Sequence, residues 1–211
     1  MSLDSVGQFA ATLDVAQRSG VRIFTLEAGV IEKVADAMTP QPILAAVRMP
    51  VSQLSDDITP GTVVLLHDLR DPGNVGTIIR SADASGASAV VLTGQGVDPF
   101  NPKTLRASAG SIFHIPVVVE PSYEFALNWF HERDTPSFAT VVRGGDSLYD
   151  APLGSRHVLV IGNEAEGLSV DALSRTSHQI TIPMSGKAES LNASVAAALV
   201  LFEGQRARTR A

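Results

Sequence analysis

The chain contains no cysteine, which excludes a disulfide framework, a thiolate metal site and a cysteine nucleophile. Aromatic residues are scarce, 5% of 211 positions against 45% hydrophobic, so a core must be built from Ala, Val, Leu and Ile. That aliphatic bias suits a sheet covered by helices on both faces. No apolar run is long enough to cross a bilayer. The opening Met1-Ser2-Leu3-Asp4 lacks the basic-then-apolar pattern of a secretory signal, so the plain expectation is a soluble cytoplasmic protein with no membrane contact. An excess of positive charge is also missing. The formal net charge is −6, and the deficit is even: 4 Lys/Arg against 7 Asp/Glu up to residue 60, and 12 against 15 beyond it. Such a chain does not hold nucleic acid by bulk electrostatics. Any RNA contact must come from a local patch, a partner subunit or a preceding segment.

Several catalytic signatures are missing as well. The five histidines, 67, 114, 131, 157 and 178, show no ligand spacing, so each reads as structural or exposed and no metal is expected. A serine hydrolase would need G-x-S-x-G, and a nicotinamide enzyme would need G-x-G-x-x-G after a strand. Neither is present.

Two regions can be told apart. Residues 1–50 read as helix (Gln8–Arg18), strand (Val21–Leu26), helix (Ala28–Ala37) and strand (Ile43–Val47), too little for a comfortable domain and similar to the end of something longer. Residues 51–61, with Ser52, Ser55, Asp56, Asp57, Thr59, Pro60 and Gly61, have linker composition. From 62 to 211 apolar runs alternate with helical stretches. The predicted strands are Thr62–Leu66, Ala89–Thr93, Ile115–Val119, Ala139–Val142, His157–Ile161 and Gln179–Ile182. The predicted helices lie near Val75–Ser85, Pro102–Ala109, Ser122–Glu132, Ser169–Arg175 and Ala193–Arg208. The alternation implies an α/β fold with a mainly parallel sheet, and ligands in such sheets bind beyond the carboxyl ends of the strands.

Three segments after strands carry candidate chemistry. In His67-Asp68-Leu69-Arg70-Asp71-Pro72-Gly73-Asn74-Val75-Gly76-Thr77-Ile78-Ile79-Arg80 a turn leads into a helix expected to start near Asn74, with Asn74, Thr77 and Arg80 three residues apart. A helix start offers free N–H groups to a phosphate, but a capped helix with a solvated arginine fits the local pattern equally. In Gly162-Asn163-Glu164-Ala165-Glu166-Gly167 the glycines permit close backbone approach, and an ordinary strand-to-helix turn is the plainer reading. In Ile182-Pro183-Met184-Ser185-Gly186-Lys187-Ala188-Glu189-Ser190-Leu191-Asn192, Ser190 and Asn192 stand at the start of an Ala-rich helix, where a cap alone would explain them.

Taken together and in this order, the three segments resemble the motifs of the SpoU/TrmH class of RNA ribose 2′-O-methyltransferases, part of the SPOUT superfamily. The resemblance runs from about Val63 to the carboxyl terminus. Residues 1–50, through Thr39–Pro50, resemble the end of a ribosomal-protein-like RNA-binding domain, here partial.

The resemblance implies a carboxyl-terminal trefoil knot, a homodimer, and S-adenosylmethionine as methyl donor. It implies RNA as substrate, ribosomal RNA in preference to transfer RNA. The donor would be gripped by loops around Thr93, Gly94, Gly162, Ile182, Met184 and Leu191. Arg80 matches the catalytic arginine, with Asn74, Glu164, Ser190 and Asn192 orienting Arg80, the RNA and the donor. A guanidinium hardly deprotonates, so electrostatic help from Arg80 is preferred over proton abstraction. The competing reading from another class is a catalytically idle RNA-binding or ribosome-assembly factor with the same fold.

Overall fold

The computed structural model describes residues 7–27, 29–35, 39–55, 58 and 61–210, and for Arg210 the backbone alone. The chain divides into two compact units, residues 1–48 and 49–211.

The first unit contains α1 (Ala10–Arg18), preceded by a 3-10 turn at Gly7–Phe9, and α2 (Val30–Val34). The strand expected over Val21–Leu26 is replaced by irregular chain with a single bridge at Leu26, and that expected over Ile43–Val47 by irregular chain throughout. A lone strand has no neighbour to satisfy its N–H and C=O groups, and the alternating apolar residues stay exposed: Val21, Ile23, Phe24, Leu44 and Val47. Ala28, Asp36 and Ala37, at the ends of the expected helix over Ala28–Ala37, lie outside the described residues, as do Asp56, Asp57, Thr59 and Pro60 of the expected linker.

The second unit is an eight-stranded sheet. In chain order its elements are β1 (Val51–Ser52), β2 (Thr62–His67), α3 (Pro72–Ala84), β3 (Ala89–Thr93), α4 (Pro102–Ser108), β4 (Val117–Val119), α5 (Tyr123–His131), β5 (Ser137–Thr140), β6 (Asp146–Ser147), β7 (His157–Ile161), α6 (Val170–Ser174), β8 (His178–Thr181) and α7 (Ala193–Arg210). The strand order is β1-β4-β3-β2-β7-β5-β8-β6, and every paired strand is parallel to its neighbour. Val51–Ser52, read from composition as linker, is thus the edge strand beside β4.

Both faces of the sheet are covered. Val64, Leu66, Val90, Phe138, Leu159 and Ile180 pack with Val75, Ile78 and Ile79 of α3 and Ala197, Val200 and Leu201 of α7. The alternate residues Val63, Leu65, Val91, Val158 and Val160 pack with Ala126, Leu127 and Phe130 of α5 and Ala172 of α6. This is the period-two split of strands buried on both sides, which is why β2, β3 and β7 read as unbroken apolar runs.

Helix α3 begins earlier than its Asn74 suggested. Asp71 is the N-cap, its carboxylate accepting the Gly73 N–H at 2.7 Å, and Pro72 takes the first helical position. Asp followed by Pro supplies both a side-chain acceptor and a preset φ, which outweighs an asparagine three residues on. Asn74 is thereby freed for other contacts. Helices α3 and α4 cross closely at Gly76, where an added Cβ would stand 2.4 Å from the Thr104 carbonyl oxygen and 2.6 Å from the Ala107 Cβ. Gly76→Ala is therefore expected to destabilise the fold by about 3 kcal/mol through overpacking against backbone. Thermal denaturation reads this directly, and an unchanged midpoint would refute it. No helix among the described residues is long and apolar enough to cross a membrane.

Candidate active site

Strands β7, β5 and β8 are neighbours in the sheet, so their carboxyl ends open side by side. The chain leaving them, with the approach to α7, walls a cleft of about 340 Å³. Val141 and Val142 follow β5, Gly162–Leu168 follows β7, Ile182 and Met184 follow β8, and Ser190 and Leu191 precede α7. The sequence reading extended the β5 strand through Val142. The strand instead ends at Thr140, and the next two valines leave the sheet to line the cleft.

The β7 loop is held tightly. Asn163 and Gly167 exchange backbone hydrogen bonds of 3.1 and 2.9 Å, and Gly167 takes a positive φ of 68°. The Asn163 Oδ1 accepts the N–H groups of Ala165 and Glu166 at 2.9 and 3.2 Å, an Asx turn. Gly162 has no room for a side chain, since a Cβ would stand 2.5 Å from the Gly167 carbonyl carbon and 2.7 Å from the Leu168 nitrogen.

This loop delivers Glu164 to the start of α3. One carboxylate oxygen accepts the Asp71 N–H and the Asn74 Nδ2–H, both at 3.1 Å, and the other accepts the Arg70 N–H at 3.1 Å. The Asn74 Oδ1 in turn accepts from Asn192 Nδ2 at 2.9 Å. Asn192 caps α7, its Oδ1 accepting the Ser194 N–H at 2.9 Å. Three residues more than 25 positions apart in sequence, Asn74, Glu164 and Asn192, thus form one hydrogen-bonded chain. Partial burial pushes the Glu164 carboxyl up, but the hydrogen bonds from Asn74 and the Arg70 and Asp71 backbone outweigh it and hold the group below the usual glutamate range. Asp71 is held below its usual range too, first by the Lys103 ammonium that donates to it at 3.0 Å and then by the Gly73 N–H.

Of the residues singled out from sequence, Gly162, Glu164, Ile182, Met184, Ser190 and Leu191 line the cleft. Asn74 and Asn192 reach it through Glu164. Arg80 does not line it. It is exposed on the third turn of α3, and its side chain makes no hydrogen bond or ion pair with any described residue. Thr93 and Gly94 stand elsewhere. Thr93 is buried against His67, with its hydroxyl 3.0 Å from Nδ1, and Gly94 packs on the Asp68 carboxylate. The reason is strand order: β2 lies between β3 and β7, so the β3 loop is not adjacent to the β7 loop, whereas the β5 loop is. Sequence reasoning missed Val141, Val142 and Asn163. The Gly-Asn-Glu turn carried a signal for Asn163, while nothing in a run of β-branched residues marks where the strand stops.

The features together, a doubly covered parallel sheet, a cleft of small-molecule size beyond adjacent strand ends and an ionised carboxylate pinned at its rim, are those of an α/β enzyme with its site at the carboxyl edge. Residues 61–202 match the model of the SpoU rRNA Methylase family, and the chain belongs to that family of RNA methyltransferases. It is 38% identical over 186 residues to the 23S rRNA (guanosine(2553)-2′-O)-methyltransferase RlmP of Bacillus subtilis, covering 87% of this chain and 73% of that one. Among solved structures it is similar to the SpoU methyltransferase AviRb from Streptomyces viridochromogenes in complex with AdoMet, with a TM-score of 0.83 and 31% identity over 94% of this chain and 79% of that one. It is also similar to the AdoMet-bound rRNA methyltransferase from Sinorhizobium meliloti, with a TM-score of 0.75 and 34% identity over 98% and 78%.

Proposed function

We propose that this chain methylates the 2′-hydroxyl of a ribose in ribosomal RNA, with S-adenosylmethionine as methyl donor. The observation that carries the reading is the cleft itself: its walls come from the ends of β5, β7 and β8, and the Glu164–Asn74–Asn192 chain closes its rim. The residues present fit the donor. Val141, Val142, Ile182 and Leu191 offer apolar surface to an adenine ring, and Gly162 lets backbone approach closely. Gly162, Ile182, Met184 and Leu191 would hold the donor, whose sulfonium supplies an already activated methyl group.

What remains for the protein is to place the ribose and stabilise charge on its oxygen. Arg80 is assigned to the RNA: its exposed guanidinium holds a phosphate and stabilises negative charge on the 2′-oxygen as that oxygen's proton passes to solvent water, the charge being consumed as the new O–CH3 bond forms and the S–CH3 bond breaks. Glu164, through Asn74, sets the start of the Arg80 helix. Asn192 fixes the entry to α7, and Ser190, just before it, is assigned to orient the RNA and donor at the cleft wall. The reading includes a homodimer, since Val195, Leu199 and Phe202 form an exposed apolar stripe at helical spacing on α7. It also includes a trefoil knot at the carboxyl-terminal segments, a cytoplasmic location, and an RNA-binding role for residues 1–50.

The test maps ribose methylation in RNA from a strain lacking the gene and restores it with purified protein and donor. One ribosomal ribose should regain its methyl group. Methylation of transfer RNA, or none, would refute the substrate assignment. For the cleft, Gly162→Ala forces the Gly167–Leu168 backbone to move. Donor affinity measured by calorimetry should fall roughly tenfold or more, the loss expected when one or two well-made polar contacts are given up. Unchanged affinity would place the donor elsewhere.

A further inference from the structure

Asp68 stands just past the end of β2, the central strand beside β7, and has a positive φ of 55°. That left-handed conformation is uncommon for a residue with a side chain and persists only where the surroundings hold it. Its surroundings are specific. The Asp68 N–H continues the ladder to the Thr93 carbonyl at 3.1 Å. One carboxylate oxygen accepts the Gln95 N–H at 2.7 Å, and the other lies 3.4 Å from His67 Nε2. The loop after β3 is shaped around this carboxylate, because a Cβ on Gly94 would stand 2.1 Å from it. With the side chain anchored there, the backbone turn directs the Asp68 carbonyl the other way, where it accepts a 2.9 Å hydrogen bond from Asn163 Nδ2.

Asn163 is the residue whose other amide atom organises the β7 loop. Its Oδ1 accepts the Ala165 and Glu166 N–H groups, and the loop lines the cleft and carries Glu164. An amide side chain with both ends engaged has one orientation. Without a partner for Nδ2, the donor end is left unsatisfied and the ring of contacts at Oδ1 loses its reference.

We propose that Asp68 is a positioning residue for the methyl-donor cleft, fixing the Asn163–Gly167 loop through its carbonyl while its carboxylate clamps the left-handed turn to the β3 loop. Asp68 itself does not line the cleft. It also gives Gly94 its reason: the glycine makes room for the Asp68 carboxylate, two strands away from the cleft it influences. This inference rests on the reading of that cleft as the donor site.

The experiment measures donor binding by calorimetry, together with KM for the donor, kcat and thermal midpoint, in the full chain. Asp68→Ala removes the clamp and strains the turn, so donor Kd and KM should rise about tenfold or more, with kcat at saturating donor within about twofold. Asp68→Asn keeps an oxygen acceptor for Gln95 and tolerates the left-handed region, so it should restore donor affinity to within about twofold of the parent. In a cycle with Asn163→Ala, the double variant should bind donor no more weakly than Asn163→Ala alone, because both act through one contact. Should Asp68→Ala fail to fold, Gly94→Ala tests the same clamp by displacing the carboxylate, and the same rise in KM is expected. Parent-like affinity in Asp68→Ala or Gly94→Ala, failure of Asp68→Asn to rescue, or additive losses in the cycle would each overturn the proposal. If the parent chain itself binds no S-adenosylmethionine, the donor-site reading is what fails, and the two failures are distinguishable.

Discussion

Replacing Arg80 by alanine is expected to lower the rate of methyl transfer by at least about a hundredfold while donor affinity stays as in the parent. The split follows from position. Arg80 is on the third turn of α3, outside the cleft that the β5, β7 and β8 loops enclose. Removing it takes nothing from the walls of that cleft. On the proposed reading, what is lost is one cation beside a ribose oxygen that carries negative charge once its proton has passed to solvent, and losing such an electrostatic stabiliser typically costs on the order of a hundredfold or more in rate. A cation held for this task has no competing partner in the free protein, and Arg80 makes no ion pair with any described residue. Arg80→Lys should rescue poorly, because an ammonium lacks the planar fork that reaches a phosphate and a second oxygen together. Single-turnover methylation of a ribosomal RNA fragment, run beside donor calorimetry, reads both quantities. Parent-like turnover in Arg80→Ala would leave it a solvated surface arginine and return the catalytic assignment to the residues around Glu164.

The second large effect is on stability and lies at the opposite end of the sheet. His157 opens β7 and is fully buried. Its Nδ1 donates to the Gly154 carbonyl at 3.0 Å, and its Nε2 lies 3.5 Å from the Thr62 hydroxyl, which accepts from Arg208 of α7. Burial pushes its pKa down to about 4, reinforced by the Arg208 cation. The ring is therefore neutral in the folded chain at pH values where the unfolded chain has already taken up a proton. Between the ordinary histidine range near 6.5 and pH 4 the unfolded state binds the extra proton, so stability falls as the pH is lowered through that window and this contribution levels off below it. The difference in pKa corresponds to about 3 kcal/mol across the window. His157→Gln, which keeps a donor and an acceptor without a titrating ring, should be less stable at pH 7 yet show a flatter decline from pH 6.5 to 4. Denaturant unfolding at several pH values checks this, and parallel declines in parent and variant would refute it.

Some of this was legible in one dimension. The strands β2, β3 and β7 announced themselves because a parallel strand buried on both faces must be apolar at every position, and helix α7 because Asn192 stands as a cap before an Ala-rich run, whereas α3 starts at the Asp71-Pro72 cap and not near Asn74. The two expected strands of the first unit show where such reading stops. A run with the right residues becomes a strand only if another strand lies beside it, and the pattern in Val21–Leu26 or Ile43–Val47 carries no information about a partner. The polar pair Asp146–Ser147 illustrates the converse, joining the sheet as β6 beside β8 although its residues show no strand pattern.

For the site the division is the same. By itself the sequence singled out candidates, because Gly162-Asn163-Glu164, Asn74, Ser190 and Asn192 are polar or glycine positions at strand and helix ends, in three segments whose order resembles one family's motifs. Only the tertiary structure decided which of them meet. Strand order put the β5 loop beside the β7 loop, so that Val141 and Val142 line the cleft, while Thr93 and Gly94, at the end of β3, stand two strands from β7. It also gave Asp68 its reach from β2 to Asn163. The physical reason is that hydrogen-bonded strand pairing joins segments up to about a hundred residues apart through backbone groups every residue possesses, so the side chains that encode a strand do not encode its neighbour.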